Sequence, residues 1–333
     1  MPEAESIRVR RPLRELERDY EQGDKQPLED LVRAWKMLKG LPPSDHRSFF
    51  MLAGYHGEPF QYRRDVDALS PTDGYQYWGG YCNHGNVLFP TWHRAYVLKL
   101  ELALREMVPG ATMPYWDETS DETAEHGVPW SLTKPTFELD GETIPNPLRS
   151  FTLPIALSDA LWTDDKDYEK PAGYTTVRYP LSGLVGTPDA RAATDAHNAP
   201  YSTPDVQNAK LNANIVDWMT VGATSDGPSS DTPKRSAQGV RDMYLRCLDA
   251  PDYTVFSNTT SAAQWNLDNP QGPVVVPLES PHNDVHLAVG GFDVPGQGEF
   301  GVIAGANGDM GENNTAAMDP IFFFHHCFVD RVF

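Results

Sequence analysis

The stretches LESPHNDVH (residues 278–286) and DPIFFFHHCFVDR (residues 319–331) hold four of the chain's ten histidines in apolar surroundings. In the first, Ser280 can cap a helix, Pro281 suits its first turn, and Gly290-Gly291 ends it. His282 and His286 then stand at i and i+4 on one face, a spacing that converges on a single metal. Asn283 occupies the place where a zinc protease H-E-x-x-H motif needs its glutamate. In the second, Asp319-Pro320 is another cap-plus-proline start, and the helix runs through His325 and His326 to Phe333. Adjacent helical residues project about 100° apart. Only one of this pair can join His282 and His286, and the other packs beside it.

Working outward, His84 and His93 would lie on opposite faces of one continuous helix. Pro90 resolves this by starting the helix late, so that it runs to about Met107 and leaves His84 in the preceding loop. Along that helix His93, Val97, Leu100 and Leu104 form one stripe. An earlier helix is predicted from Ser44 to Tyr55, capped by Ser44 and closed by Gly57. On it Phe49, Leu52 and Ala53 share the face that leads to His56. His46, His126 and His197 sit in polar or turn-like sequence and read as solvated surface.

These spacings yield two sets of three imidazoles with no carboxylate or thiolate clearly attached, a donor set suited to copper, zinc or nickel. Three ligands leave a position open for catalysis. The economical architecture is mainly α, a four-helix bundle core carrying the metals, with long loops and few short strands. Pro27–Leu41, with Leu31, Trp35 and Leu38, adds a packing helix. Residues 119–277 read mostly as loops broken by short elements such as Ser236–Leu248. Loops of that length in a compact domain tend to be functional or to cover something. The 333 residues are expected to form one domain, with half-sites at 44–118 and 278–333.

Lys plus Arg number 27 against 47 Asp plus Glu, a net charge of −20. That charge repels phosphate backbones and anionic lipid, so nucleic acid and membrane are not expected partners. No apolar run reaches the length of about 18 residues that a transmembrane helix needs. The charged N-terminus is not a secretory signal, and three cysteines make no disulfide framework, so a reducing, cytoplasmic location is expected. The sequons at Asn258 and Asn313 read as chance matches. The last helix is still apolar and periodic at Phe333, which leads us to expect a longer natural chain.

At this point the motifs resemble a known family. Cys82-Asn83-His84-Gly85 with Leu88-Phe89-Pro90-Thr91-Trp92-His93-Arg94 resembles the first-copper motif of tyrosinases, catechol oxidases and related haemocyanins. Met113-Pro114-Tyr115-Trp116-Asp117 resembles the segment that follows it. Residues 278–286 and 319–327, continuing into Val329-Asp330-Arg331, resemble the second-copper motif. The matches fall in family order from residue 49 to 333.

The resemblance implies a copper-dependent phenol oxidase that o-hydroxylates monophenols and oxidises o-diphenols to o-quinones with O2. His56, His84 and His93 would bind one copper of a dinuclear pair. His282, His286 and His326 would bind the other, with His325 as the neighbour. In fungal-type members the cysteine two residues before the second ligand is joined to it, which implies a thioether between Cys82 and His84. Glu279 and Asn283 would orient the water that deprotonates a phenol. Leu287 would form an apolar lip of the substrate pocket, which Asn283 also lines, and Phe322 would pack over the ligand rings beside it. The expected partners are small phenols, a homo-oligomeric copy and a C-terminal pro-domain. The competing readings are catechol or o-aminophenol oxidation without hydroxylation, a haemocyanin-like O2 carrier, and a zinc hydrolase.

Overall fold

Helices form where apolar residues recur every three to four positions behind a cap or a proline. The computed structural model describes residues 8–57, 60–63, 75–78, 80–159, 169–220, 239–292 and 305–333. These form α1 (Leu13–Glu21), α2 (Gln26–Lys39), α3 (Phe49–Ala53), α4 (Phe89–Met107), α5 (Asp121–His126) and α6 (Pro188–Asn198). Then follow α7 (Pro204–Thr220), α8 (Val240–Cys247), α9 (Tyr253–Ser257), α10 (Thr259–Asp268), α11 (Glu279–Gly290) and α12 (Ile321–Val332). Strands β1 (Phe60–Arg63), β2 (Tyr75–Trp78) and β5 (Leu157–Asp159) pair in an antiparallel sheet of order β2-β1-β5. A hairpin joins β3 (Thr136–Leu139) to β4 (Glu142–Pro145). The chain is mainly α, as its periodicity predicts.

The core sits where α4 packs between α2 and α12. Trp35 of α2 stacks on Phe324 of α12 at 5.9 Å between ring centroids, and Phe49 of α3 meets Phe323 at 5.9 Å. Leu31, Trp35 and Leu38 are fully buried, so the predicted N-terminal packing helix is present. The short α3 is tied to α4 by the Tyr96 hydroxyl, which donates to the Leu52 carbonyl at 2.7 Å. On the other side α11 packs against α7 and α8, and it meets α4 and α12 through histidine rings.

Besides the start of α11, which opens at Glu279 after Leu278 and not behind a Ser280 cap, two expectations need correction. The helix predicted from Ser44 to Tyr55 is only Phe49–Ala53, and its cap is Ser48, whose hydroxyl accepts from Met51 N at 3.2 Å. The Asp45 carboxylate takes the Arg47 amide at 2.9 Å and its guanidinium at 3.0 Å, which holds residues 45–47 in a turn and delays the helix. The second correction concerns residues 119–277, which carry long helices as well as loops. The 17-residue α7 buries Leu211, Ile215, Trp218 and Met219, a stripe at helical spacing. In this region Ser236–Leu248 narrows to Val240–Cys247, its first residues lying outside the described ones. Asn258 is fully buried and caps α10 by accepting from Ser261 N at 2.9 Å, which fits its sequon being a chance match.

A buried ion pair fixes the start of α12. The Arg178 guanidinium donates to both oxygens of Asp319 at 2.7 and 2.6 Å, and Asp319 also accepts from Ile321 N at 3.1 Å. Removing one member of such a pair strands the other charge without water. Asp319→Ala is therefore expected to lower the unfolding free energy by about 3–5 kcal/mol, read by chemical denaturation. A loss within the range of a surface substitution would show that the pair does not anchor the helix.

Candidate metal centre

The histidines arrive from five places. His56 lies two turn residues beyond α3, His84 lies in the loop before α4, and His93 sits in the first turns of α4. His282 and His286 share one face of α11, and His325 and His326 lie in α12. Pro90 does start its helix late, with Phe89 as the first helical residue, so His84 is free to turn toward His93.

The ligand-capable atoms of His56, His84 and His93 lie within 4.8 Å of one another. Those of His282, His286, His325 and His326 form a second group by the same measure. The groups adjoin, since the His93 and His326 rings stack at 4.5 Å and 11°, and His84 stacks on His282 at 5.8 Å. His46 and His126 are exposed and belong to neither group, whereas His197, expected on the solvated surface, is half-buried and meets the Pro180 carbonyl at 2.7 Å.

Four of the rings are steered through Nδ1. That of His93 reaches the Phe89 carbonyl at 2.7 Å, one helical turn back. Those of His56 and His286 reach the carbonyls of Asn313 at 3.1 Å and Met310 at 2.8 Å, and that of His282 meets Asn283 Oδ1 at 2.9 Å. Such bonds fix the tautomer and point Nε2 inward. The Nε2 atoms of His56, His93 and His282 are buried with no hydrogen-bond partner among the described residues. Left so, a buried polar atom is costly. A bound metal would satisfy each of them, so the residues fit a metal centre.

Burial, and then the neighbouring imidazoles, push His56, His282 and His326 well below the usual histidine range; burial does the same to His93 and His286. Neutral rings are what metal coordination requires.

The α12 pair departs from the expectation that only one of its members could join His282 and His286. His326 Nε2 lies 3.3 Å from His286 Nε2, and His325 also comes within reach. His325, however, is engaged on its far side, where its Nδ1 meets Glu118 Oε1 at 2.6 Å and the Tyr244 hydroxyl donates to Glu118 Oε2 at 2.7 Å. Burial raises the Glu118 carboxyl well above its usual range and pushes His325 down to about 3. Sequence reasoning missed Glu118 and Tyr244. The only hint was a carboxylate directly after the Met113–Asp117 segment.

Beside the second group opens a cleft of about 540 Å³ lined by His84, His282 and His286 with Glu279, Asn283, Leu287, Thr259 and Asn313. Asn283 is exposed in it and Leu287 half-buried. Phe322 packs against the ligand rings as expected but does not line the cleft. It is fully buried beneath the rings, 4.0 Å from His326 and 4.7 Å from His56, rather than on the cleft wall. Glu279 is tied on both oxygens, accepting from Gly85 N at 2.7 Å, from Thr259 N at 2.8 Å and from the Thr259 hydroxyl at 3.0 Å. It thus braces the loop that carries His84. Cys82 Sγ accepts from Gly57 N at 3.2 Å, which places it beside the His56 turn.

In the metal-free protein an unfolded histidine takes up a proton near pH 6.5, whereas these seven lowered rings resist it. Their contribution is complete above about pH 6.5 and is lost as the pH falls below it. The raised carboxyls of Glu17, Glu118 and Asp309 act in the opposite sense but are fewer. Denaturation of the metal-free chain is expected to give a falling unfolding free energy from about pH 7 to about pH 5; a flat or rising profile would contradict neutral burial.

Comparison with known proteins follows the same lines. Residues 46–333 match the family profile described as the common central domain of tyrosinase. The chain is 64% identical over 334 residues to tyrosinase HcTyr2 of Hahella sp. (strain CCB-MM4), covering all of this chain and 60% of that protein. It is 42% identical over 329 residues to a tyrosinase of Aspergillus oryzae, covering 93% of this chain and 58% of that one. The solved tyrosinase of Burkholderia thailandensis superposes with a TM-score of 0.81 at 60% identity, over 98% of this chain and 60% of that one. The chain thus spans about 60% of the length of these relatives. Family profile, sequence and fold agree that this chain belongs to the tyrosinase family, whose common central domain it carries.

Proposed function

We propose that this chain is a phenol oxidase that holds two coppers and uses O2 to hydroxylate monophenols and to oxidise o-diphenols to o-quinones. The observation that carries the reading is the convergence of two buried imidazole groups, stacked at His93 and His326 and floored by Phe322. His56, His84 and His93 would hold one copper, and His282, His286 and His326 the other. His325 is the neighbour: its Nδ1 is engaged by Glu118 Oε1 at 2.6 Å, and Glu118 in turn accepts from the Tyr244 hydroxyl at 2.7 Å. Copper at these sites would supply the redox exchange with O2 that the reaction requires.

The protein's own part is geometric and acid–base. The Nδ1 bonds hold the rings, the apolar floor excludes water, and the cleft admits a flat substrate past Leu287. A phenol ionises near pH 10, so accepting one as phenolate needs a base. A carboxylate offers about four lone-pair sites, and Glu279 spends three on Gly85 and Thr259. One remains for a water shared with exposed Asn283, and this supports the hydroxylating reading. The heavy engagement of Glu279 favours a second one, diphenol oxidation alone. The single domain, its cytoplasmic location, and any homo-oligomer or C-terminal pro-domain are part of the same proposal.

Copper quantitation combined with oxygen uptake on catechol and on tyrosol tests these readings together. We expect two coppers per chain, activity on both substrates, and loss of copper in His93→Ala and His326→Ala. Oxidation of catechol without tyrosol, even after a lag, would leave only the second reading. A copper-loaded chain inert to both phenols would overturn the enzyme reading.

Cys82 and His84 are proposed to be joined by a thioether in the mature enzyme. Its mass is then two hydrogens below that of the reduced sequence, with the crosslink found by peptide mapping. An alkylatable Cys82 in copper-loaded enzyme would refute the link.

A further inference from the structure

The turn at residues 309–315 touches both imidazole groups. Its Met310 carbonyl holds His286 at 2.8 Å and its Asn313 carbonyl holds His56 at 3.1 Å, one ring from each group. Backbone closes on it from two sides. A Cβ on Gly57 would stand 2.6 Å from Asn314 Cα, and one on Gly311 would stand 1.3 Å from the Gly291 carbonyl oxygen. The turn is therefore wedged between the residue after His56 and the end of the helix that carries His282 and His286.

A carbonyl can steer an imidazole only while its own peptide stays still. Here the turn is pinned at its first residue. The Asp309 carboxylate, 1% exposed, accepts through Oδ2 from the Tyr174 hydroxyl and from Val177 N, both at 2.7 Å, and Asp309 N donates to the Val177 carbonyl at 2.9 Å. Beneath it the buried Lys170 ammonium donates to the Gly183 carbonyl at 2.6 Å and lies 4.0 Å from Glu312 of the same turn. A buried carboxylate is a costly way to fill space, since an apolar side chain of similar volume does so without desolvating a charge. Its use here is explained by the direction that its hydrogen bonds impose.

We propose that Asp309 is a positioning residue for the whole centre: by pinning the 309–315 turn to the Tyr174–Val177 segment it sets the orientation of His56 and His286 together. One element thus couples the two groups, and disturbing it loosens both. The inference rests on the metal-binding reading above, and its test separates the two.

The full chain, Asp309→Asn and Tyr174→Phe are compared, each freed of metal and titrated with copper(II) and with cobalt(II). The readouts are equilibrium dialysis, the cobalt absorption spectrum and the melting temperature of the metal-free form. We expect both variants to melt within about 4 °C of the parent, with metal affinity about 10–100-fold lower at both groups and an altered cobalt spectrum. If the parent itself binds no metal at the imidazoles, the metal-binding reading fails. If the parent binds and the variants match it in affinity and spectrum, Asp309 is not a positioning residue. Loss confined to one group, or a lowered melting temperature with unchanged affinity, overturns the proposal equally. Should Asp309→Asn fail to fold, Tyr174→Phe decides by the same criteria, and failure of both to fold marks a purely structural role.

Discussion

The structure depends on keeping a crowd of imidazoles uncharged and aimed inward without water. Burial alone disfavours the protonated form, and the rings disfavour it further in one another. That secures neutrality but not direction. For four of the rings direction comes from Nδ1, each using whatever acceptor its place in the chain affords. His93 uses the carbonyl one turn back in its own helix, and His282 uses the next side chain. His56 and His286 need carbonyls from a turn remote from His56 in sequence and beyond the end of α11. The 309–315 turn, outside the bundle, delivers both of these acceptors.

Glu279 shows the same economy. It sits at the first turn of α11, where a negative charge also complements the helix dipole. Its oxygens draw in the Gly85 amide and the start of α10, so the loop bearing His84 is held from the helix bearing His282 and His286. The residue that borders the cleft is thus also a brace for a ring of the other group.

What was legible in the sequence is what side-chain periodicity encodes. The i, i+4 spacing of His282 and His286, the late start at Pro90 and the Asp319-Pro320 opening each follow from local rules, and each is present. The failures have equally local causes. Ser44 lost to Ser48 because Asp45 captures the Arg47 amide. Helices α6 and α7 open on Thr187-Pro188 and Thr203-Pro204, the same signal read at residue 319. In α7 it was overlooked because polar residues dilute the Leu211, Ile215, Trp218, Met219 stripe. The bracing turn was out of reach for a different reason. It acts through carbonyls, which every residue has, so no side chain marks Met310 or Asn313. Glu118 and Tyr244 lie 126 positions apart, and only tertiary packing brings them to His325.

The two groups are not equivalent in how they are built. All four histidines of the second belong to helices, so helix geometry sets their spacing before any long-range contact forms. In the first, only His93 is helical, while His56 and His84 lie in turn and loop. Their placement is borrowed from the far end of the sequence, through Asn313 for His56 and through Glu279 at Gly85 for His84. Residues 44–118 could therefore bring three imidazoles near one another without fixing two of them. The first half-site is completed by residues 279–313, and so the two halves, despite their separate motifs, form one cooperative centre rather than two modules placed side by side.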